Sequence, residues 1–438
     1  MKNWLSRLDR NLFSILKTIA READEEGIPI FVVGGVVRDL ILNRPNLDLD
    51  IVAETDAVAF ARRLAKDQDA SLIVFKQFGT ATMIFPQGLR VDLATARKER
   101  YAQSGALPLV EPGSIHEDLF RRDFTINALA LRINKDRLGE LVDDFKGLDD
   151  LKQKKIRILH DQSFQDDPTR ILRAVRFEQR FNFQIERHSF KLLKSALDQG
   201  LVRHVKPERY FEEFKKILSE ESPAKSIQRL YPLGGLDFLG IVLKDMSGTL
   251  RLMKKLEGIQ TDFSQISAPQ RTIHPHTRQG VGVQYWLVYF MALVAGAPFL
   301  KLKKILKKFN FKRSDQDKIL SCRELPRVLQ VLKRKALRPS QVFAALKPLN
   351  YETILFLKAK ASESIVADRI DRFLKEYDFV KLTIDGDVLK TLGIPPGKGL
   401  GEILKTLLYA KVDGLIKTRE DELKKAEQLI QHNRGTLS

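Results

Sequence analysis

The run Asn46-Leu47-Asp48-Leu49-Asp50-Ile51-Val52 places the tightest constraint on the fold. Leu47, Leu49 and Ile51 alternate with Asp48 and Asp50, the pattern of a half-buried strand. Residues two apart on a strand point to one face, so Asp48 and Asp50 converge and need a counterion. A divalent metal is the natural one, and Mg²⁺ prefers oxygen ligands shared with substrate phosphates. The competing reading is the solvated face of an edge strand. Just upstream, Val33-Gly34-Gly35-Val36-Val37-Arg38-Asp39 offers a strand-to-helix turn. Its glycines allow close backbone approach to a phosphate, and a helix N-terminus presents N–H groups to one. A simple tight turn is the alternative. The combination points to nucleotidyl transfer.

The 438 residues are enough for two to four domains at roughly 100–200 residues each. Lys+Arg 75 against Asp+Glu 56 leaves a net charge of +19, which suggests a polyanionic partner. No apolar run reaches the ~20 residues of a spanning helix, so no membrane role is expected; Tyr285 to Ala297 reads as a buried helix. Met1 to Asp9 leads into an amphipathic helix without a visible signal peptide. The single Cys322 excludes an internal disulfide and a cysteine-based zinc site. The expected setting is cytoplasmic.

Up to about residue 150 the pattern mixes short strands and helices. A helix over 5–26, strands over 28–33, 48–53, 71–75, 80–85 and 89–94, and helices over 36–42 and 57–67 are expected, with 104–113 as a flexible loop. From about residue 166 the chain reads as helical, apart from a short strand at 183–185 and an interruption at 393–399. The fold class is therefore α+β: a mixed-sheet head (1–150), then an all-helical neck (151–220), body (221–345) and tail (346–438). Residues 301–340 hold 14 Lys/Arg against 3 Asp/Glu, either a solvated face or an RNA backbone track.

Three further segments carry chemistry. Asp92, in the alternating run Leu89 to Ala94, is either a third carboxylate beside Asp48 and Asp50 or a structural partner of an arginine. Arg121-Arg122-Asp123-Phe124-Thr125-Ile126-Asn127 offers Arg122, Asp123 and Asn127 to phosphate and sugar, unless Asp123 merely caps a helix. In Asp166-Asp167-Pro168-Thr169-Arg170, Asp-Pro is an ordinary helix start, but Arg170, Arg173, Arg176 and Arg180 then recur at helical spacing. Asp167 and Arg170 can project together.

Gly34-Gly35-x-x-Arg38-Asp39, Asp48-x-Asp50, Arg121-Arg122-Asp123 through Ala128, and Asp167-x-x-Arg170-x-x-Arg173-Ala174-x-Arg176-Phe177 occur in this order. Together they resemble the class II tRNA nucleotidyltransferase and bacterial poly(A) polymerase family over roughly residues 27–218, with a weaker likeness near 386–423. The resemblance implies a polymerase-β-like head, a neck that reads the nucleotide, and a body and tail that hold tRNA. It implies two Mg²⁺ ions on Asp48 and Asp50, with Asp92 a candidate further ligand. Gly34, Gly35, Arg38, Asp39, Arg122, Asp123, Asn127, Arg173 and Arg176 would serve the nucleotide. The residues matching Asp167 and Arg170 would read the incoming base without a nucleic-acid template.

That role is chemically sound. Cytosine and adenine each present an amine beside an unprotonated ring nitrogen, which a carboxylate and a guanidinium match. Uracil and guanine present the reverse. One Asp/Arg pair therefore admits CTP and ATP. Two positions depart from the family: Lys146 stands where a glycine is usual, and Lys206-Pro207-Glu208-Arg209 lacks a leading serine.

The substrate expected is a tRNA 3′ end extended from CTP, ATP or both. A CCA-adding, a CC-adding and an A-adding enzyme and a poly(A) polymerase share the base-reading pair. The runs Arg100 to Pro108 and Asp167 to Arg170 lean towards the A-adding type. A non-catalytic RNA-binding protein would be expected to lose a metal carboxylate, and a dinucleotide-binding fold would need G-x-G-x-x-G. His274 and His276, without nearby carboxylates, receive no role.

Overall fold

The computed structural model describes residues 4–45, 49–267 and 282–435. Asp48, His274 and His276 lie outside the described residues. The chain divides into two compact units, 1–220 with 225–240, and 221–224 with 241–438.

In the first unit, Asp9 caps helix α1 (Arg10–Glu25) by accepting from the Asn11 N–H, so the helix expected over 5–26 is divided from the short turn Trp4–Arg7. There follow β1 (Ile30–Val33), α2 (Gly35–Ile41), β2 (Leu49–Ala53), α3 (Ala57–Asp67), β3 (Ser71–Phe75), β4 (Thr80–Ile84) and β5 (Arg90–Thr95). Next are β6 (Arg97–Arg100), β7 (Leu109–Pro112), α4 (Ile115–Phe120), β8 (Ala130–Arg132), β9 (Leu141–Val142) and α5 (Gly147–Gln153). β7 corrects the loop expected over 104–113. Its strand forms by pairing with β6, Arg97 opposite Pro112 through Arg100 opposite Leu109, a non-local interaction without a local sequence pattern.

Seven strands form one mixed sheet in the order β3-β4-β5-β2-β1-β8-β9, parallel only between β2 and β5. One face packs Leu49, Ile51 and Ala53 against apolar residues of α1, α2 and α3. The other packs Phe31, Val33 and Val52 against Ile115 and Leu119 of α4. Asp50 shares that second face with Val52 but is exposed.

The unit continues through β10 (Lys155–Ile156), α6 (Ser163–Asp166), α7 (Thr169–Phe181), β11 (Gln184–Ile185), α8 (Arg187–Asp198) and α9 (Pro207–Leu218). β10 and β11 pair in parallel, and Phe124 bridges Ile158. Phe124, Phe164, Ile171, Ala174 and Phe177 are buried in the same core as the sheet. Helix α10 (Pro223–Leu230) brings Arg229 to Glu178 of α7 at 2.8 Å.

The second unit is helical among its described residues, with α11 (Met246–Ser267), α12 (Tyr285–Val294), α13 (Phe299–Lys308) and eight more helices from Arg313 to Gly435. Trp286 through Val294 of α12 are all buried, as a helix apolar on every side requires. α13 is amphipathic: Leu302, Ile305 and Leu306 are buried while its lysines face out. No described helix is long and apolar enough to cross a membrane.

Candidate active site

A cavity of about 840 Å³ opens in the first unit. Its lining includes Gly35, Arg38, Asp50, Arg122, Asp123, Asn127, Asp167, Arg170, Arg173 and Arg176, so ten of the residues singled out in the sequence meet at one place. A second cavity, about 320 Å³, shares Asp50, Arg121 and Arg122 and adds Asp92 and Arg90.

Asp50 and Asp92 are direct neighbours across the parallel β2–β5 pair, so their side chains stand on one face. Asp92 accepts from the Thr82 hydroxyl and pairs with Arg90 at 3.0 Å, yet its carboxylate keeps 39% of its surface exposed. Asp92 thus partners an arginine and also sits beside Asp50. Two carboxylates lining an open cavity provide oxygen donors of the kind that suit Mg²⁺. The described residues fit such an ion.

Gly34 turns β1 into α2 with φ of +69°, a conformation open to glycine. Its own N–H donates to the Leu129 carbonyl at 2.9 Å, so it is not offered to a phosphate. What needs the missing side chain is Arg122: a Cβ on Gly34 would lie 2.4 Å from Arg122 Nη1. Arg38 is also turned inward. It forms a bidentate pair with Asp39, donates to Asn127 Oδ1 at 2.6 Å and lies over the rings of Phe177 and Phe181. Arg38 lines the cavity, but its guanidinium is held as a buried clamp between α2 and α7.

Arg122 and Arg121 are held by Asp118, a fully buried carboxylate on α4. The capping box of Ser114 and Glu117 starts this helix. Burial pushes the Asp118 carboxyl up, but the two arginines outweigh it and hold it below its ordinary range. Arg122 Nε is buried with no hydrogen-bond partner among the described residues.

Asp123 does not cap a helix. Its Oδ1 accepts from the Phe124 N–H and the Asn127 amide, and its Oδ2 from Arg173 Nε at 2.7 Å. Arg173 also lies 3.5 Å from Glu213. Burial raises the Asp123 carboxyl, yet Arg173 and the Asn127 hydrogen bond win and it sits low.

Asp167 accepts from the Thr169 N–H and hydroxyl, which starts α7, and pairs with Arg209 at 2.7 Å. Arg170, buried, donates to the Ser163 hydroxyl and the Arg121 carbonyl. Each side chain is thus fixed by its own partners, and both line the cavity. Arg176 is mostly buried, and burial followed by repulsion from Arg173 lowers its pKa.

The lining holds nine arginines against four carboxylates among the described residues. Asp123 and Asp167 are spent on Arg173 and Arg209, and Glu99 on Arg97 and Arg121. Asp39, Asp118, Glu213 and Glu220, outside the lining, pair with other arginines of it, so nine arginines face eight carboxylates and a small positive surplus is left for a polyphosphate. Sequence reasoning missed Arg209, Asp118 and Glu99. The Ser114-x-x-Glu117 capping box hinted at Asp118; Arg209 and Glu99 act through contacts distant in sequence.

A mixed sheet carrying adjacent carboxylates at the edge of an arginine-rich cavity defines a polymerase-β-like nucleotidyltransferase head. Residues 30–157 match the family described as "Poly A polymerase head domain". Residues 182–240 match "Probable RNA and SrmB- binding site of polymerase A". An A-adding tRNA nucleotidyltransferase of Geobacter sulfurreducens is 36% identical over 428 residues, 96% of this chain and 47% of that protein. One of Aquifex aeolicus is 33% identical over 86% of this chain and 44% of its own length. The chain spans about half the length of these curated relatives. A CCA-adding enzyme in an apo form superposes with a TM-score of 0.75 at 32% identity, covering 97% of both chains. The Thermotoga maritima CCA-adding enzyme complexed with tRNA gives 0.70 at 31% identity, covering 98% of each. The chain belongs to this family of tRNA nucleotidyltransferases.

Proposed function

We propose that the chain adds nucleotides to the 3′ end of tRNA without a nucleic-acid template, and that it is of the A-adding type. The observation that carries this reading is the single cavity in which Asp50 meets Asp167, Arg170 and an unbalanced set of arginines. Asp50, with Asp48 and Asp92, would hold two Mg²⁺ ions. When bound, such ions activate the primer 3′-hydroxyl and clamp the triphosphate as pyrophosphate leaves.

Arg122 and Arg176, backed by Asp118 and crowded by Arg173 respectively, bind the triphosphate; Asp118 and Glu220 are each shared with a second arginine, so a polyanion finds positive charge left over. Asn127, ordered by Asp123 and Arg38, orients the sugar. Arg170 donates to the ring nitrogen of the base, and Asp167, steadied by Arg209, accepts from its amine. The residues up to 150 act as the catalytic head and 151–220 as the base-reading neck, with the helices beyond as tRNA-holding body and tail.

The A-adding type is supported by the names of the curated relatives. The CCA-adding reading is favoured by the names of the solved relatives. Incubation of tRNAs ending before the first C, after one C and after two Cs with CTP, ATP or both, followed by sequencing of the products, separates them. The expected product is a single A on the CC-ended tRNA. Addition of C to the shorter tRNAs followed by a final A selects the CCA-adding reading, addition of C alone selects the CC-adding one, and no extension of any of them refutes the function.

A further inference from the structure

Thirteen large apolar side chains are exposed among the described residues, and six fall within a short stretch of the head: Ile73, Phe75, Phe78, Ile84, Leu107 and Leu109. β3 is the edge strand of the sheet. An open apolar edge is a liability that a folded protein ordinarily covers or breaks with charge.

The pairing register shows where this surface lies. Asp50 stands opposite Asp92, Asp92 opposite Thr82, and Thr82 opposite Ile73. Side chains paired directly across strands share a face, so one row runs from the candidate metal carboxylates to Ile73. Phe75 lies two residues on, on that face. α4 covers the β1–β2 part of this face and reaches Ala94 of β5, Thr82 is buried, and beyond them Ile73, Phe75, Ile84 and Arg90 are exposed. Phe75 lines the smaller cavity with Asp50 and Asp92; Phe78 lines the larger one with Asp50. Phe78 is 44% exposed and its carbonyl accepts from Arg97 Nη1 at 2.9 Å, which fixes the turn carrying it.

We propose that Phe75 and Phe78, flanked by Ile73, are the platform on which the last bases of the RNA primer stack, and this rests on the nucleotidyl-transfer reading above. Single-stranded RNA is held by aromatic rings under its bases and cations along its phosphates. Both are present: Arg90 and Lys76 are exposed beside the rings. Three strand spacings, roughly 14 Å, separate Asp50 from Ile73. A few stacked nucleotides at about 3.4 Å each span that distance. A primer whose 3′-hydroxyl reaches Asp50 thus lays its preceding bases over these rings. The base-reading pair Asp167 and Arg170 is left to the incoming nucleotide.

The test uses an acceptor-stem RNA ending in CC and the same RNA with an abasic residue at its second, third or fourth position from the 3′ end. Binding is followed by fluorescence anisotropy, and incorporation from ATP is measured separately. Phe75→Ala with Phe78→Ala should weaken binding of the intact RNA roughly tenfold. Phe75→Tyr with Phe78→Tyr should restore it. The abasic RNA should bind the unaltered protein more weakly by a similar factor and lose nothing further in the alanine variant.

Both rings are half-exposed, so truncation leaves no cavity, and thermal melting checks the fold. Equal affinity of all proteins for both RNAs overturns the platform, as do independent, multiplying penalties. An unchanged affinity together with an altered oligomeric state in light scattering also overturns it, and assigns the face to a second copy of the chain. Absence of ATP incorporation by the unaltered protein refutes the function instead, while the binding comparison still decides the platform.

Discussion

Asp123 shows how a single side chain serves both stability and the site. It is buried, accepts from Asn127 and is paired with Arg173 on α7. Its carboxyl lies below its ordinary value because Arg173 and Asn127 outweigh the cost of burial. A lowered carboxylate contributes stability that is fully present above the unfolded pKa of about 3.9 and is lost as pH falls through the folded one. Asp123→Asn leaves Arg173, partly exposed and still 3.5 Å from Glu213, beside a neutral group and should cost about 1–3 kcal/mol at neutral pH. Urea unfolding should show the gap from the unaltered protein closing as the pH drops below about 3.9. A gap that stays constant over that range would remove the ion pair as its cause. The asparagine Oδ1 can still accept from the Asn127 amide in that variant, so the loss falls on the Arg173 pair.

At the scale of elements, α5 offers a cleaner perturbation. Lys146, in place of the glycine usual in the family, has φ of +58° in the left-handed region. The helix that follows is capped by Asp143, which accepts from the Gly147 and Leu148 N–H groups. A side chain in that region costs about 1–2 kcal/mol, partly offset by the entropy a glycine loses on folding. Lys146→Gly should therefore stabilise the protein by roughly 0.5–1 kcal/mol, read from the urea midpoint at unchanged slope. A lower midpoint would mean that Lys146 makes a contact outweighing its backbone strain. Gly147 has no such freedom, since a Cβ there would sit 2.2 Å from the Thr125 carbonyl.

Elements built from local pattern were legible in the sequence. α3 and β3 have the expected limits because alternation, spacing and the Asp56 cap all act within a few residues. The convergence of Asp50 on Asp167 and Arg170 was legible through ordered motifs. β7 was not, since only β6 makes it a strand, and neither was the inward turn of Arg38, which depends on Asn127 and two phenylalanines of α7.

At the scale of the whole molecule, the charge of +19 sets the expected behaviour with RNA. Lys301, Lys304 and Lys307 recur every three residues on α13 and are exposed, while Leu302, Ile305 and Leu306 face the core. If this surface follows a phosphate backbone, changing all three lysines to glutamine lowers the slope of log affinity for tRNA against log salt by about 2–3. Nucleotide affinity should not change. Titrations over a range of salt concentrations check this, and an unaltered slope would leave the lysines as a solvated face.

The ties between the sheet and α7 also bear on how such a protein can be recombined. Arg173 binds Asp123, Arg170 binds the Arg121 carbonyl, and Arg38 lies over Phe177 and Phe181. A chimera joined near residue 150 would sever each of these unless both parents carried matching partners. The piece that keeps all of these ties runs from α2 to the end of α7. If Asp167 and Arg170 read the base as proposed, exchange of nucleotide preference between relatives has to move them together with the partners of α7 in the sheet.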